Sequence, residues 1–281
     1  MSKLITVFGA TGNQGGSVIK AILADSVLSK EFKIRGITRD VSKPAAQALT
    51  SKGVEMTAAD LSSKPSLQGA LKGSHTVFLV TNYWETANAE VEITQGKNVS
   101  DVSKELGVQH LIFSSLLHVT ETSGGKLKHV PHFDGKAEIE RYIKNSGVPC
   151  SFFLPGYFMS NYKSQLKEGE DGVVTLAYPA IIKNRDRLLG AQVYGAADYY
   201  TPDQILAGYA EVTGKTTRFV QVSNEQYMKF LPEPIAEEML ENHLFIETPG
   251  YYNGASLTES LGLLEEKPVS WKEFVAKALK K

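Results

Sequence analysis

Val7-Phe8-Gly9-Ala10-Thr11-Gly12-Asn13-Gln14-Gly15-Gly16 is the stretch on which the fold turns. Ahead of it, Leu4-Ile5-Thr6-Val7-Phe8 is an apolar, β-branched run that ends at a glycine and reads as a buried strand. Behind it, Val18, Ile19, Ile22 and Leu23 recur at helical spacing, which predicts a helix from about Asn13. Strand, glycine turn and helix in that order aim backbone N–H groups and the positive end of a helix dipole at one spot, which suits a phosphate. In this reading Gly9 permits the tight exit from the strand and Gly12 lets a pyrophosphate approach the backbone. Gly15 lets helix and strand pack closely. The alternative is a glycine-rich turn that holds nothing.

Outward from the turn, strand and helix alternate. Strands are expected at 32–38, 53–57, 75–80 and 108–114, with helices at 42–52, 65–71 and 88–106, the last closed by Gly107. Repeated units of this kind force a parallel sheet with helices on both faces and right-handed crossovers. Ligands of such sheets lie off the carboxyl ends of the strands. The expected architecture is α/β: a Rossmann-type doubly wound parallel sheet over 1–155, then a smaller α-rich domain over 156–281. A strand near 191–195 should return to the main sheet. Capping boxes at Thr201-Pro202-Asp203-Gln204 and Ser270-Trp271-Lys272-Glu273 open two late helices, and 224–231 and 234–245 supply more.

The end of the second strand bears on the choice of coenzyme. A carboxylate there selects NAD through the ribose hydroxyls, whereas an arginine pairs with the extra phosphate of NADP. The strand finishes Thr38-Arg39-Asp40, with Lys43 close behind. Arg39 can clamp a phosphate in a bidentate way and Lys43 adds a second charge, which favours NADP. Asp40 argues the other way unless it caps the next helix. Asp60, just past the third strand, is placed either to accept from an adenine amino group or to hold its own turn. After the fourth strand, Asn82 and Tyr83 would line the ribose and nicotinamide side of a crevice, with Trp84 as a wall; plain aromatic packing is the alternative.

Composition excludes several function classes. With 281 residues, 42% hydrophobic and 22% charged, the chain can bury a substantial core. Thirty basic residues nearly cancel thirty-one acidic ones, so nothing marks a surface for nucleic acid or an anionic membrane. The single cysteine, Cys150, excludes an intrachain disulfide framework and reads as a small buried hydrophobe. No apolar run reaches membrane-spanning length, and a strand begins at once, leaving no room for a signal peptide. A cytoplasmic protein with access to the nucleus is expected, and no metal site.

Between 114 and 146 the chain reads Ser114-Ser115, a mobile-looking loop from Thr120 to Gly125, then His129 to Lys136 running into a helix over 137–144. The Gly-x-x-Gly-x-x-Gly turn is the variant of short-chain dehydrogenase/reductase-like chains. Together with Thr38-Arg39, Thr81-Asn82-Tyr83-Trp84-Glu85 and His132-Phe133-Asp134-Gly135-Lys136, it resembles the NmrA-like family of atypical short-chain dehydrogenases/reductases. The resemblance implies pyrophosphate contacts from Gly9, Thr11, Gly12, Asn13, Gln14 and Gly15, and adenosine-phosphate contacts from Arg39 and Lys43. It implies ribose and nicotinamide contacts from Thr81, Asn82, Tyr83 and Lys136, with Pro155, Tyr157 and Phe158 closing on the nicotinamide.

Active short-chain reductases use a Tyr-x-x-x-Lys pair, in which the lysine lowers the tyrosine's pKa so that its hydroxyl can protonate a carbonyl as hydride arrives. Here His132 stands four residues before Lys136, on the same helix face and near the positive helix end. The resemblance therefore implies an NADP(H)-binding redox sensor that acts through a protein partner. An NADPH-dependent oxidoreductase of a quinone, carbonyl or aromatic substrate, with Lys136 and His132 orienting the acceptor, is the alternative. It leaves room for a homodimer. Family members also carry a further strand and an acidic helix start between the segments matching Tyr178-Pro179 and Ala180-Ile181; a real deletion of part of the lid is one explanation, and the expected one is a chain break of more than about 3.8 Å at that junction.

Overall fold

Alternation of β-branched runs with helical periods produces the expected βα succession. A computed structural model describes residues 2–168, 174–176, 192–264 and 267–279. In chain order the elements are β1 (Lys3–Val7), α1 (Asn13–Ala24), α2 (Leu28–Glu31), β2 (Phe32–Thr38), α3 (Pro44–Thr50), β3 (Glu55–Ala58), α4 (Lys64–Leu71), β4 (Thr76–Leu79) and α5 (Ala89–Glu105). Next come β5 (His110–Ser114), α6 (Val119–Thr122), α7 (Pro131–Ser146), β6 (Cys150–Pro155), α8 (Tyr162–Gln165), β7 (Lys167–Glu168), β8 (Val174–Leu176) and β9 (Gln192–Gly195). The chain continues with α9 (Pro202–Thr213), β10 (Thr217–Phe219), α10 (Asn224–Met228), α11 (Glu233–Phe245), α12 (Thr258–Leu261) and α13 (Trp271–Ala278).

Seven strands form one sheet in the order β3-β2-β1-β4-β5-β6-β9, and every pairing from β3 across to β6 is parallel. The chain works outward from β1 to β3, then crosses back to start β4 on the other side of β1. That reversal puts the topological switch point at the carboxyl ends of β1 and β4, the place where α/β sheets take ligands. The sheet is anchored by Ile5, Val7, Ile34 and Phe78, packed with Ile19 and Ile22 of α1. Each such side chain contributes about 1.5–3 kcal/mol by leaving water.

The described residues fall into two units, one built of 2–118, 132–153 and Gln192, the other of 119–131, 154–168, 174–176, 193–264 and 267–279. Within the second unit, β10, β8 and β7 make a small sheet. Both predicted capping boxes form, at Thr201 on α9 and Ser270 on α13. Trp271, 1% exposed, donates its indole N–H to the Ile205 carbonyl at 2.8 Å. A Cβ on Gly208 would lie 2.7 Å from that indole ring, so the glycine is what lets α9 and α13 meet. The buried Tyr251 and Tyr252 donate their hydroxyls to the carbonyls of Pro155 and Leu154.

Two segments depart from expectation. The helix expected from Ala137 already starts at Pro131, whose missing N–H and fixed φ cost nothing in a first turn. The stretch from Thr120, expected as a loop, opens as the single helical turn α6 before Gly124 and Gly125 take positive φ values of 63° and 77°. Cys150 is buried, as a small hydrophobe would be, and burial pushes its thiol pKa up. The break expected between Pro179 and Ala180 lies outside the described residues. No helix among the described residues is long and apolar enough to cross a membrane.

Candidate functional site

Two of the three glycines of the first turn, Gly9 and Gly15, are required by geometry. Gly9 leaves β1 with φ +62°, a left-handed conformation, and the Gly12 N–H returns to its carbonyl at 2.8 Å. A Cβ on Gly15 would stand 2.4 Å from the Gly9 oxygen and 2.5 Å from the Phe8 oxygen, so α1 sits against β1 at a distance only glycine permits. Gly12 is the N-cap of α1, with no side chain to accept from the first-turn N–H groups and no acidic residue in that turn. Side chains do that work at α4 (Ser63), α5 (Asn88), α9 (Thr201), α10 (Ser223) and α13 (Ser270), whereas α3 and α11, like α1, start without one; α1 differs from those two in that its N-cap is a glycine at the carboxyl end of β1. The start of α1 therefore fits an anion, because a ligand's oxygens are the acceptors its geometry lacks.

At the end of β2, Arg39 is exposed and ion-paired with Glu85, a partner that sequence reading did not supply. Asp40 caps its own turn, accepting from the Ser42 N–H at 2.9 Å and the Ser42 hydroxyl at 2.6 Å; these bonds hold its carboxyl below the usual carboxylate range. Asp40 therefore holds its own turn and does not cap α3. Lys43 is the N-cap residue of α3. Asp60 accepts from the Ser62 N–H at 2.8 Å, the turn-holding role weighed above.

Lys136 defines the end of β4. Its ammonium donates to the Thr81 hydroxyl at 2.8 Å, the Thr81 carbonyl at 3.1 Å and Glu92 Oε1 at 2.6 Å. Burial pulls the Lys136 pKa down, and the Glu92 carboxylate pulls against it. Glu92, 1% exposed, lies on α5 and went unread in the sequence. A Cβ on Gly96 would lie 2.5 Å from Ile139, so that glycine lets α5 close on α7. Gly96 follows Glu92 by four residues and Ile139 follows Lys136 by three, which puts both pairs on the same contact face.

His132 is buried among aromatic rings, with centroids 5.0 Å from Trp84 and Phe133 and 5.9 Å from Tyr83. It follows Pro131 in the first turn of α7. Of the remaining predicted contacts, Gln14 accepts from the Ser114 hydroxyl at 2.7 Å, tying α1 to the end of β5. Asn13 accepts from Ser17 through its carbonyl, and Thr11 and Asn82 are exposed. Pro155, Tyr157 and Phe158 belong to the second unit. There Tyr157 stacks edge-on to Tyr162 with centroids 5.5 Å apart, and Phe158 is 37% exposed; their contact with nicotinamide rests on the resemblance alone.

The sequence matches the NmrA-like family model over residues 1–180 and 170–275. The chain belongs to the NmrA-like family. An NmrA-like family domain-containing oxidoreductase of Aspergillus hancockii is 28% identical over 298 residues, covering 92% of this chain and 87% of that one. Among solved structures, the fold is shared with NmrA, a negative transcriptional regulator, in complex with NAD: 19% identity, TM-score 0.81, covering 99% of this chain and 95% of that one. It is also shared with an NADPH-dependent quinone oxidoreductase of Escherichia coli complexed with NADPH: 21% identity, TM-score 0.77, covering 98% of this chain and all of the other. This NmrA-like chain thus has the sheet topology of proteins solved with both coenzymes.

Proposed function

We propose that this chain binds a nicotinamide dinucleotide at the glycine turn, NADP(H) in preference to NAD(H), and reports the redox state of that pool to a protein partner. The observation that carries the reading is the start of α1, where glycine stands at the N-cap and the first-turn N–H groups lack a side-chain acceptor. The pyrophosphate would take those N–H groups. Arg39 and Lys43 would hold the 2′-phosphate, Arg39 leaving Glu85 to do so, and Asp60 would face the adenine. Thr81, Asn82, Tyr83 and Lys136 would orient the ribose and the nicotinamide, which supplies a hydride when reduced. The sensing half of the reading draws on His132: a position taken by tyrosine in active short-chain reductases holds an imidazole packed among aromatic rings. Any effect on transcription would pass through the partner, since the near-zero net charge offers DNA no purchase.

A second reading, an NADPH-dependent reductase of a quinone, carbonyl or aromatic substrate, is favoured by Lys136. An ammonium kept buried beside a carboxylate is suited to orienting a ribose and an acceptor, and relatives are named as oxidoreductases. Calorimetry with NADPH and NADH tests the common step: Arg39→Ala should weaken NADPH far more than NADH, and equal losses would contradict the preference. Following NADPH absorbance over a panel of quinones, enals and aldehydes separates the two readings. Turnover lost in Lys136→Ala supports the reductase. Tight binding without turnover, with a partner captured in one redox state only, supports the sensor.

A further inference from the structure

Each of the two cations read as holders of the 2′-phosphate already has a carboxylate near it. The Asp40 carboxyl, bonded to Ser42, also feels the charge of Lys43. Arg39 is paired with Glu85, which comes from a different segment, the helical turn Tyr83–Glu85 after β4. Asp40 is held in its own turn. The Arg39–Glu85 pair instead joins two exposed side chains, contributes little to the fold and can be parted.

The segment that carries Glu85 is strained. Ala87, whose N–H donates to the Tyr83 carbonyl at 2.8 Å, takes φ +48°, a left-handed conformation that a Cβ disfavours. The Glu85 N–H reaches the Asn82 carbonyl only at 3.3 Å. A segment of this kind keeps its shape through what surrounds it. Its side chains make two such contacts: Glu85 with Arg39, and Trp84 with the His132 ring at 5.0 Å. Trp84 is 49% exposed, whereas the other tryptophan, Trp271, is buried.

A phosphate on the ribose 2′ oxygen and the Glu85 carboxylate are anions that compete for one guanidinium. A nucleotide without that phosphate leaves the ion pair alone. We propose that Glu85 is a specificity-determining residue: it competes with the 2′-phosphate for Arg39, and its displacement by NADP(H), but not by NAD(H), loosens the turn that carries Trp84. The proposal rests on the dinucleotide reading above and adds how the chain tells the phosphorylated coenzyme from the unphosphorylated one. It reads the phosphate, which the oxidised and reduced coenzymes share, so the redox state is left to the nicotinamide end.

The test uses the whole chain and two isomers, 2′,5′-ADP and 5′-ADP, which differ only in whether the second phosphate sits on the 2′ oxygen. Neither has a nicotinamide to quench Trp84. Calorimetry gives the affinities and tryptophan emission reports the turn, with Trp84→Phe assigning the signal. Saturating 2′,5′-ADP should change Trp84 emission in the native chain, and saturating 5′-ADP should not. Glu85→Gln should tighten 2′,5′-ADP about 3- to 5-fold, a range an exposed ion pair supports, and leave 5′-ADP unchanged. Without nucleotide, its emission should already match that of the native chain with 2′,5′-ADP. In Arg39→Ala the tightening should vanish. Unchanged or weaker 2′,5′-ADP binding in Glu85→Gln would overturn the proposal, as would tightening that persists in Arg39→Ala. So would an equal emission response to both isomers, or one that survives Trp84→Phe or Glu85→Gln. A native chain that binds neither isomer, or both equally, would instead bring down the coenzyme reading itself, and this proposal with it.

Discussion

One buried polar pair from each unit bears comparison, because the two are handled in opposite ways. In the first, Lys136 and Glu92 meet as charges at 2.6 Å, and Glu92 Oε2 has no hydrogen-bond partner among the described residues. In the second, Tyr227 and His243 meet as neutral groups, the imidazole having given up its charge to burial. The neutral solution is the cheaper one. Desolvating an ion costs several kcal/mol, and mutual attraction recovers this only with full hydrogen bonding, which Glu92 lacks. Stability alone would be served as well by apolar residues. A charge held at the carboxyl end of β4, bonded to the first residues after the strand, therefore makes sense where that charge is used.

The comparison breaks most sharply at Glu92. Glu92→Ala strands the Lys136 ammonium and should cost about 3–5 kcal/mol, read from urea unfolding at pH 7. Removing both charges, as Glu92→Leu with Lys136→Met, should recover most of that loss while NADPH affinity stays low. A single substitution costing under about 1 kcal/mol would mean that the pair is solvated and that the contrast with the second unit is false.

Acid should attack the second pair. Above pH 6.5 His243 is neutral in folded and unfolded chains alike, and no stability depends on it. As pH falls below 6.5 the unfolded chain binds a proton that the folded one refuses until about pH 4, so stability declines through that window. The full loss is about 3 kcal/mol. Comparing urea midpoints at pH 7 and 4.5 for the native chain and His243→Gln checks this, since the variant should decline less. Lys136 works in the alkaline range: its lowered pKa means that its burial cost is relieved as pH rises toward 10.5.

How much of this was legible follows from what each feature depends on. Strands with apolar runs and helices with spaced apolar residues announce themselves locally, and β2 falls on its expected residues, Phe32–Thr38. The glycine turn was readable because Gly9, with its positive φ, and Gly15, with backbone oxygens where a Cβ would stand, meet local constraints that favour glycine. Glu92 was not, because a glutamate in a helix reads as a solvated face; only Gly96, four residues on, hinted that α5 closes on a neighbour. Glu85 and the Tyr227–His243 pair escaped for the same reason, since no spacing rule links α10 to α11. α6 was missed because a single turn has too few residues to show a period.

The finest version of the contrast sets one hydroxyl against another. Thr81 accepts from a charged donor at 2.8 Å, whereas Tyr227 meets a neutral ring, its hydroxyl 3.1 Å from Nδ1 and 3.3 Å from Nε2 of His243. Thr81→Val preserves shape and deletes a bond to an ion, so it should cost about 2 kcal/mol. Tyr227→Phe deletes a contact between neutral groups and should cost about 1 kcal/mol. Both are measurable in urea at pH 7, and their order matters more than their size. Should Tyr227→Phe prove the costlier, the imidazole is charged in the folded chain, and the acid sensitivity argued above reverses sign with it.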